Sequence, residues 1–126
     1  MTVFTEGRHA AEFLIYEDEA AFSREAITIA AGSGVVKPGT VCGEITGEAK
    51  FAPSPAAEVV GIEGAEVATA LPLYEVDATL VDVKVAAIVR HAVVNVNLLS
   101  FDPSVDTDAE KAAKVADLKK KGIIAR

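Results

Sequence analysis

The segment from Val83 to Val94 constrains the fold of this chain more than any other part of the sequence. Both of its alternating faces are apolar, with Val83, Val85, Ala87, Val89 and Val93 on one face and Ala86, Ile88, Ala92 and Val94 on the other. A strand that is apolar on both faces is covered on both sides, so the segment predicts a central strand. Arg90 lies within it, and we expect its guanidinium to reach a carboxylate or backbone carbonyls.

Most of residues 23–98 has the alternation and the turn residues of short β-strands. Further strands are predicted at Ala26–Ala30, Val41–Thr46, Ala49–Phe51, Glu58–Ile62 and Leu71–Val76. Lys37-Pro38-Gly39-Thr40 predicts a type II turn, because proline presets the first central φ and glycine adopts the positive second one. Pro72 has no N–H to donate, which places the Leu71–Val76 strand at a sheet edge or makes this proline a strand end.

One helix is predicted near the end of the chain, at about residues 107–121. Thr107 and Glu110 have the spacing of a capping box, in which each side chain accepts from the other residue's backbone N–H. Gly122 suits the left-handed position that follows a helix. An alanine face at helical spacing is expected to pack closely against its neighbour, and it consists of Ala109, Ala112, Ala113 and Ala116.

The charge of the chain is unevenly distributed. Its formal net charge is −7, with −12 in residues 1–110 and +5 in residues 111–126. Phosphate repels an acidic body, and the basic residues fit the end of the predicted helix, where cations interact favourably with the helix dipole. We therefore expect no nucleic-acid partner. No long uninterrupted apolar stretch occurs, so we also expect no membrane partner.

Length and composition predict a single domain preceded by an arm. The chain has 126 residues, 51% of them hydrophobic, which is enough for a core. Its one cysteine, Cys42, cannot form an internal disulfide and is expected to be a small buried residue. Residues 1–12 contain few large apolar side chains and are interpreted as an N-terminal arm, and residues 13–126 as one β-rich domain.

The residue types that carry chemistry form no recognisable motif. The two histidines, His9 and His91, lie in the arm and in the predicted central strand, and no zinc-binding or nucleophile-elbow pattern occurs. We therefore predict no catalytic residue, no metal site and no cofactor, and we favour an interaction protein. The alternative is a small enzyme that uses Asp77, Arg90 and His91 around a pocket.

Six groups of segments, taken in order, carry a family resemblance. They are Thr5-Glu6-Gly7-Arg8-His9 with Glu12-Phe13-Leu14; Ser23-Arg24-Glu25 with Ile27-Thr28-Ile29; Lys37-Pro38-Gly39-Thr40-Val41 with Gly43 and Ile45; Val76-Asp77-Ala78-Thr79; Ala87-Ile88-Val89-Arg90 with Val93-Val94-Asn95; and Leu118–Arg126, including Gly122-Ile123-Ile124. No single motif is specific, but the ordered set covers nearly the whole chain. It resembles the bacteriophage lambda head decoration protein D family.

The resemblance implies an α+β, mainly β fold, namely a small decoration-protein (β-tulip-like) domain with an extended N-terminal arm and one C-terminal helix. It implies a structural virion protein that binds the exterior of a tailed-phage capsid as a homotrimer at local threefold positions and stabilises the shell. Its partners would be the major capsid protein and further copies of itself, with assembly in the host bacterial cytoplasm. The alternative of the same class is a tail or baseplate adaptor.

The resemblance also implies that the arm adds a strand to the major capsid protein. The implied capsid-binding residues are Thr2, Val3, Phe4, Thr5, Glu6, Gly7, Arg8 and His9. Backbone pairing of this kind places few demands on sequence, which suits a segment with so few large side chains. We further expect buried or interfacial anchors at the arm root and the trimer interface, namely Phe13, Leu14, Tyr16, Ile123 and Ile124.

Overall fold

The computed structural model describes residues 9–126, and it confirms a mainly β fold with a C-terminal helix. Its strands are β1 (Leu14–Glu17), β2 (Arg24–Ile29), β3 (Gly34–Val36), β4 (Cys42–Ile45), β5 (Lys50–Pro53), β6 (Ala68–Pro72), β7 (Val76–Ala78), β8 (Val83–Ile88), β9 (Ala92–Val94) and β10 (Ile123–Ala125). Its helices are α1 (Ala20–Ser23), α2 (Asp108–Lys120) and a 3-10 turn at Val96–Leu98. The division into an arm at 1–12 and a domain at 13–126 stays a prediction.

Five strands close into a barrel in the order β2-β5-β4-β6-β8. Its longest pairing joins β2 and β8 antiparallel along their whole length. The barrel core contains Ile29, Cys42 and Ala87, each with no exposed surface. Burial raises the pKa of the Cys42 thiol, as is expected of a small residue packed in an apolar core.

Strand β8 is shared by two hydrophobic cores. Val85 and Ala87 face the barrel core, whereas Ile88 faces a second core that includes Phe13 and Leu118. Within the barrel, β8 lies between β2 and β6. These contacts confirm that the strand is central and covered on both sides.

A separate three-stranded sheet has the order β1-β9-β10, with β1 antiparallel and β10 parallel to β9. The predicted continuous strand from Val83 to Val94 is therefore wrong, because the chain leaves the barrel after β8 and enters this second sheet at β9. The change of direction occurs at His91, whose φ of 50° lies outside the β region. His91 is exposed rather than placed within a central strand.

The segment between β5 and β6 is a long irregular loop. The predicted strand Glu58–Ile62 is wrong, since the Ile62 N–H donates to the Val59 carbonyl at 3.1 Å in a turn and most of the segment is exposed. Exposed valines had produced a strand-like pattern without a buried face. The predicted strand Leu71–Val76 is likewise divided between β6 and β7, although Pro72 does end β6 as expected.

Strands β3 and β7 form a two-stranded antiparallel sheet. The predicted type II turn follows β3 at residues 37–40. Its Thr40 N–H donates to the Lys37 carbonyl at 3.1 Å, and Gly39 has a φ of 78°. The turn is confirmed, and it returns the chain toward β4.

Helix α2 confirms the predicted helix and its capping box. The Thr107 hydroxyl accepts from the Glu110 N–H at 3.2 Å, and the Glu110 carboxylate accepts from the Thr107 N–H at 3.2 Å. Gly122 follows the helix with a φ of 78°. None of the helices among residues 9–126 is long and apolar enough to cross a membrane.

The predicted buried face of α2 is wrong. The side chains that were expected to pack are exposed, namely Ala109, Ala112, Ala113 and Ala116. The helix instead buries Lys114, which is 3% exposed, and Leu118. The Lys114 ammonium donates to the Ser54 hydroxyl at 2.9 Å and to the carbonyls of Pro55 and Glu66. Three oxygen acceptors allow a lysine to be buried here, and the helix thereby holds both ends of the β5–β6 loop.

Candidate functional site

Residues 9–13 are the root at which the predicted arm meets the domain. The Ala11 N–H donates to the Leu73 carbonyl at 2.7 Å, and the Asn95 N–H donates to the Phe13 carbonyl at 2.8 Å. Phe13 is 1% exposed and belongs to the second core. These contacts fix the backbone of the root against the rest of the domain.

The predicted capsid-binding residues fall almost entirely outside the described part of the chain. His9 is exposed at the start of the root. Residues 1–8, which contain Thr2 to Arg8, are not among the described residues. Their capsid-binding role stays a prediction.

Gly39→Ala is expected to lower the free energy of unfolding by about 2–3 kcal/mol, because it strains a left-handed backbone and crowds the arm root. A Cβ at this position would lie 3.0 Å from the Phe13 ring and 3.0 Å from the Leu98 carbonyl oxygen. Gly32→Ala is the matched control, since Gly32 also has a positive φ but no atom within 4 Å of the added Cβ. Urea unfolding of both variants measures the difference, and equal losses would contradict close packing of Phe13.

The outer face of the β1-β9-β10 sheet carries a row of three apolar side chains, one from each strand. Tyr16 and Ile124 both pair with Val93, so the three side chains lie side by side. Tyr16 is 59% exposed, and the other two are half-buried. A sheet with one open face ordinarily presents polar side chains to water. We call Tyr16, Val93 and Ile124 the apolar row, and regard it as a candidate contact surface.

The five predicted anchors are divided between the two faces of this sheet. Phe13 and Ile123 are fully buried in the chain's own core, and Leu14 packs partly against it. Tyr16 and Ile124 belong to the apolar row. An intermolecular role for the predicted anchors therefore rests on Tyr16 and Ile124, and it stays a prediction.

Arg90 and His91 immediately precede β9, the central strand of this sheet, and therefore lie beside the apolar row. His91 borders the same shallow hollow as Tyr16 and Val93. The Arg90 guanidinium donates to the Phe22 carbonyl at 2.5 Å and to the Glu25 carboxylate at 2.9 Å, which confirms the partners expected of it. Its Cζ also lies 5.4 Å from the centre of the Phe22 ring. The surface beside the row therefore presents an aromatic ring and an ion-paired arginine, residue types that are enriched at protein contact surfaces.

The backbone of His91 ties three elements together beside the row. Its carbonyl accepts from the Asp18 N–H at 3.1 Å and from the Ser23 hydroxyl at 2.9 Å, and its N–H donates to the Lys121 carbonyl at 3.3 Å. A bidentate ion pair joins β1 to β2 nearby, with Glu17 accepting from Arg24 at 2.8 and 2.7 Å. This pair raises the pKa of Arg24. Backbone and side-chain hydrogen bonds thus hold this part of the surface in place.

The structure does not bring the alternative enzymatic residues together. Asp77 lies in β7 and accepts from the Thr79 hydroxyl, which lowers the pKa of the Asp77 carboxyl. Arg90 and His91 follow the opposite end of β8. The three residues line separate cavities, Arg90 at the open end of the barrel, His91 beside Tyr16 and Asp77 beside Leu80. Among residues 9–126, no group of three or more His, Cys, Asp or Glu side chains is arranged to hold a metal ion.

Comparison with known protein families decides the class of protein. Residues 3–123 match the family model described as bacteriophage lambda head decoration protein D. The chain belongs to this family. No curated protein matches the chain in a sequence search.

Membership in the head decoration protein D family confirms the resemblance that the ordered segments carry. It supports a role in decorating a phage capsid, association with that capsid and a location in the virion. The family consists of structural capsid proteins and is not an enzyme family. For a decoration protein, the features that matter are contact surfaces, and the arm root and the apolar row are the ones described above.

Proposed function

We propose that this decoration protein binds the exterior of a tailed-phage capsid as a homotrimer at local threefold positions, and that its binding stabilises the shell. The observation that carries the proposal is an apolar row on the outer face of the β1-β9-β10 sheet, in a chain of a capsid decoration family. A solvent-facing row of this kind is suited to burial against another protein.

The arm provides the contact with the major capsid protein. The root at residues 9–13 directly precedes β1, which is an edge strand of its sheet. An extended segment that pairs its backbone with a sheet edge gains affinity from main-chain hydrogen bonds. Thr2 to His9 therefore add a strand to the capsid protein, and the root at residues 9–13 holds them to the domain.

Trimer formation raises the affinity for the capsid, because it joins three arms. Three arms bind from one rigid assembly, so each later contact is effectively intramolecular and the combined affinity exceeds that of one arm by about 10²- to 10⁴-fold. A cyclic trimer is built from two different surfaces of each subunit, and Tyr16 and Ile124 contribute to one of them. Arms that reach neighbouring capsomers oppose their separation, which is how decoration stabilises the shell.

The charge distribution favours the outside of the shell. Residues 1–110 have a net charge of −12. Packaged DNA is a dense array of phosphates and repels such a surface. The exterior placement therefore avoids an electrostatic cost that the interior would impose.

Deletion of residues 2–8 tests the proposal. The root contacts of Ala11 and Phe13 remain, so the variant is expected to fold and form trimers, but its affinity for undecorated capsids should fall by about 100-fold or more. Co-sedimentation with capsids measures binding, and the temperature at which decorated shells open measures stabilisation. Normal decoration by the truncated chain would refute the role of the arm.

A matched pair of substitutions separates strand pairing from side-chain contacts. Thr5→Pro removes a backbone donor and should weaken capsid binding, whereas Thr5→Ala keeps the donor and should bind nearly as well as the natural chain. Equal binding by the two variants would contradict strand addition at this residue.

A further inference from the structure

The mouth of the five-stranded barrel is a cavity of about 220 Å³ that the proposed function does not use. It lies where β2 begins and β8 ends, at one end of the barrel. Its apolar lining comes from Ile27, Phe51 and Val89. Barrel mouths are common positions for small binding sites.

Two side chains of opposite charge line the mouth without a partner. Glu44 comes from β4, and Lys121 follows the end of α2. In residues 9–126, neither side chain forms a salt bridge or a hydrogen bond. The other charges of the lining, Glu25 and Arg90, neutralise each other in an ion pair of 2.9 Å. Both are exposed at the rim, where water solvates them, so the mouth offers one acceptor and one donor that no other protein group occupies.

Thr69 provides a third unused group. It lines the same cavity, and its hydroxyl is the one buried side-chain polar atom in the described part of the chain that lacks a hydrogen-bond partner. Native proteins contain few such atoms, because leaving a buried hydroxyl unpaired is costly. A polar occupant of the cavity would supply the missing partner after a change of the Thr69 χ1 rotamer.

We propose that the barrel mouth binds a dipolar group, in which an amino or amide donor and a carbonyl or carboxylate acceptor lie side by side next to a small apolar side chain. The donor of the ligand faces Glu44, its acceptor faces Lys121, and its side chain rests on Ile27 and Phe51. An ion of a single charge is attracted by one of the two charged residues and repelled by the other, whereas a dipolar group satisfies both.

A peptide segment and a free amino acid both carry this chemistry. The peptide source, a segment of the capsid protein, rests on the proposed function. The free source does not, so the two are tested separately. The three variants for both tests are Glu44→Gln, Lys121→Met and Thr69→Val, and the controls are Glu48→Gln and Lys119→Met, which alter exposed residues outside the mouth.

The first test is an NMR titration of the full chain with leucine, with leucinamide and with 4-methylpentanoate. Leucine is expected to shift the amide signals around the barrel mouth, and the two analogues, each of which lacks one charge, to bind about tenfold more weakly. Glu44→Gln and Lys121→Met should each weaken leucine binding by about 10- to 100-fold, whereas the controls should not.

The second test measures decoration of capsids by the same variants. If the ligand is a peptide of the capsid, the three mouth variants bind capsids at least about tenfold more weakly than the two controls. Thr69→Val should do so with an unchanged or higher melting temperature, because its hydroxyl has no partner to lose in the free chain. A variant that binds weakly only because it is misfolded would not show this combination.

The outcomes separate the inference from the proposed function. Weaker decoration by the mouth variants supports a peptide ligand, and leucine binding with normal decoration supports a free one. Normal decoration by all variants together with no titration by leucine overturns the inference while leaving the proposed function intact. If even the natural chain does not bind capsids, the proposed function fails and the titration alone decides the inference.

Discussion

Lys114→Met is expected to lower the free energy of unfolding by about 2–4 kcal/mol. The Lys114 ammonium is the donor for the Ser54 hydroxyl and for the carbonyls of Pro55 and Glu66. Methionine retains most of the aliphatic stem and leaves these buried or half-buried oxygens without that donor. Urea unfolding followed by circular dichroism measures the loss.

Lys119→Met is the matched control, because Lys119 is exposed in the last turn of the same helix. Its effect should stay within about 0.5 kcal/mol. Hydrogen exchange adds a local measurement, in which the amides of residues 56–66 should exchange faster in the Lys114 variant alone. Equal stability of the two variants would show that the buried ammonium does not hold the loop.

The pH dependence of stability gives a second measurement on Lys114. Burial lowers the pKa of this residue in the folded chain, so the unfolded chain binds the proton more tightly. Between the lowered pKa and the ordinary value of 10.5, rising pH therefore favours the folded state. The free energy of unfolding of the natural chain, minus that of Lys114→Met, should rise with pH in this window. Below the window this difference should be constant. A difference that shrinks as pH rises would contradict this sign.

Tyr16→Asp is expected to dissociate the proposed trimer. The substitution places a carboxylate in the apolar row, where trimer formation would bury it without a partner. Loss of a central contact costs about 2 kcal/mol or more, which is about 30-fold in the dissociation constant at each interface. Ile124→Asp should act in the same direction from the adjacent strand. Sedimentation velocity over a dilution series measures the change in assembly.

Val60→Asp is the control for this pair, since Val60 is 95% exposed in the β5–β6 loop. It should leave the trimer intact. The Tyr16 variant should also retain its fold, because the tyrosine side chain is mostly exposed in the single chain. A trimer that survives both row substitutions would place the subunit interface elsewhere on the domain.

Local sequence patterns were enough to predict the central strand and the final helix. The two apolar faces of Val83 to Ile88 follow directly from having a core on each side. The capping box at Thr107 and Glu110 depends on residues three positions apart, so it is visible in the sequence. In both cases the information lies within one element.

Features that depend on distant residues were not predictable in this way. The predicted strand from Val83 to Val94 is divided at His91 because the chain passes there from one sheet to another, and no local sequence pattern indicates this. Likewise, Lys114 is buried because oxygens some 50 to 60 residues away surround its ammonium, whereas an isolated helix pattern assigns lysine to the solvent side and alanine to the core.

The contact surfaces were predicted in part. The sequence predicts Tyr16 and Ile124 as anchors but not their shared neighbour Val93, because only the register of β1 and β10 on β9 brings the three together. The barrel mouth was not predicted at all. Glu44, Thr69 and Lys121 come from separate elements, and only closure of the barrel places them around one cavity.

The position of β8 between the two cores determines how the domain responds to a force that pulls its parts apart. Because this one strand is a wall of both cores, pulling the β1-β9-β10 sheet away would expose the side of the barrel as well. The barrel and the β1-β9-β10 sheet are therefore expected to unfold together. In the shell-stabilising role proposed above, each bound subunit would therefore resist an outward force as one cooperative unit.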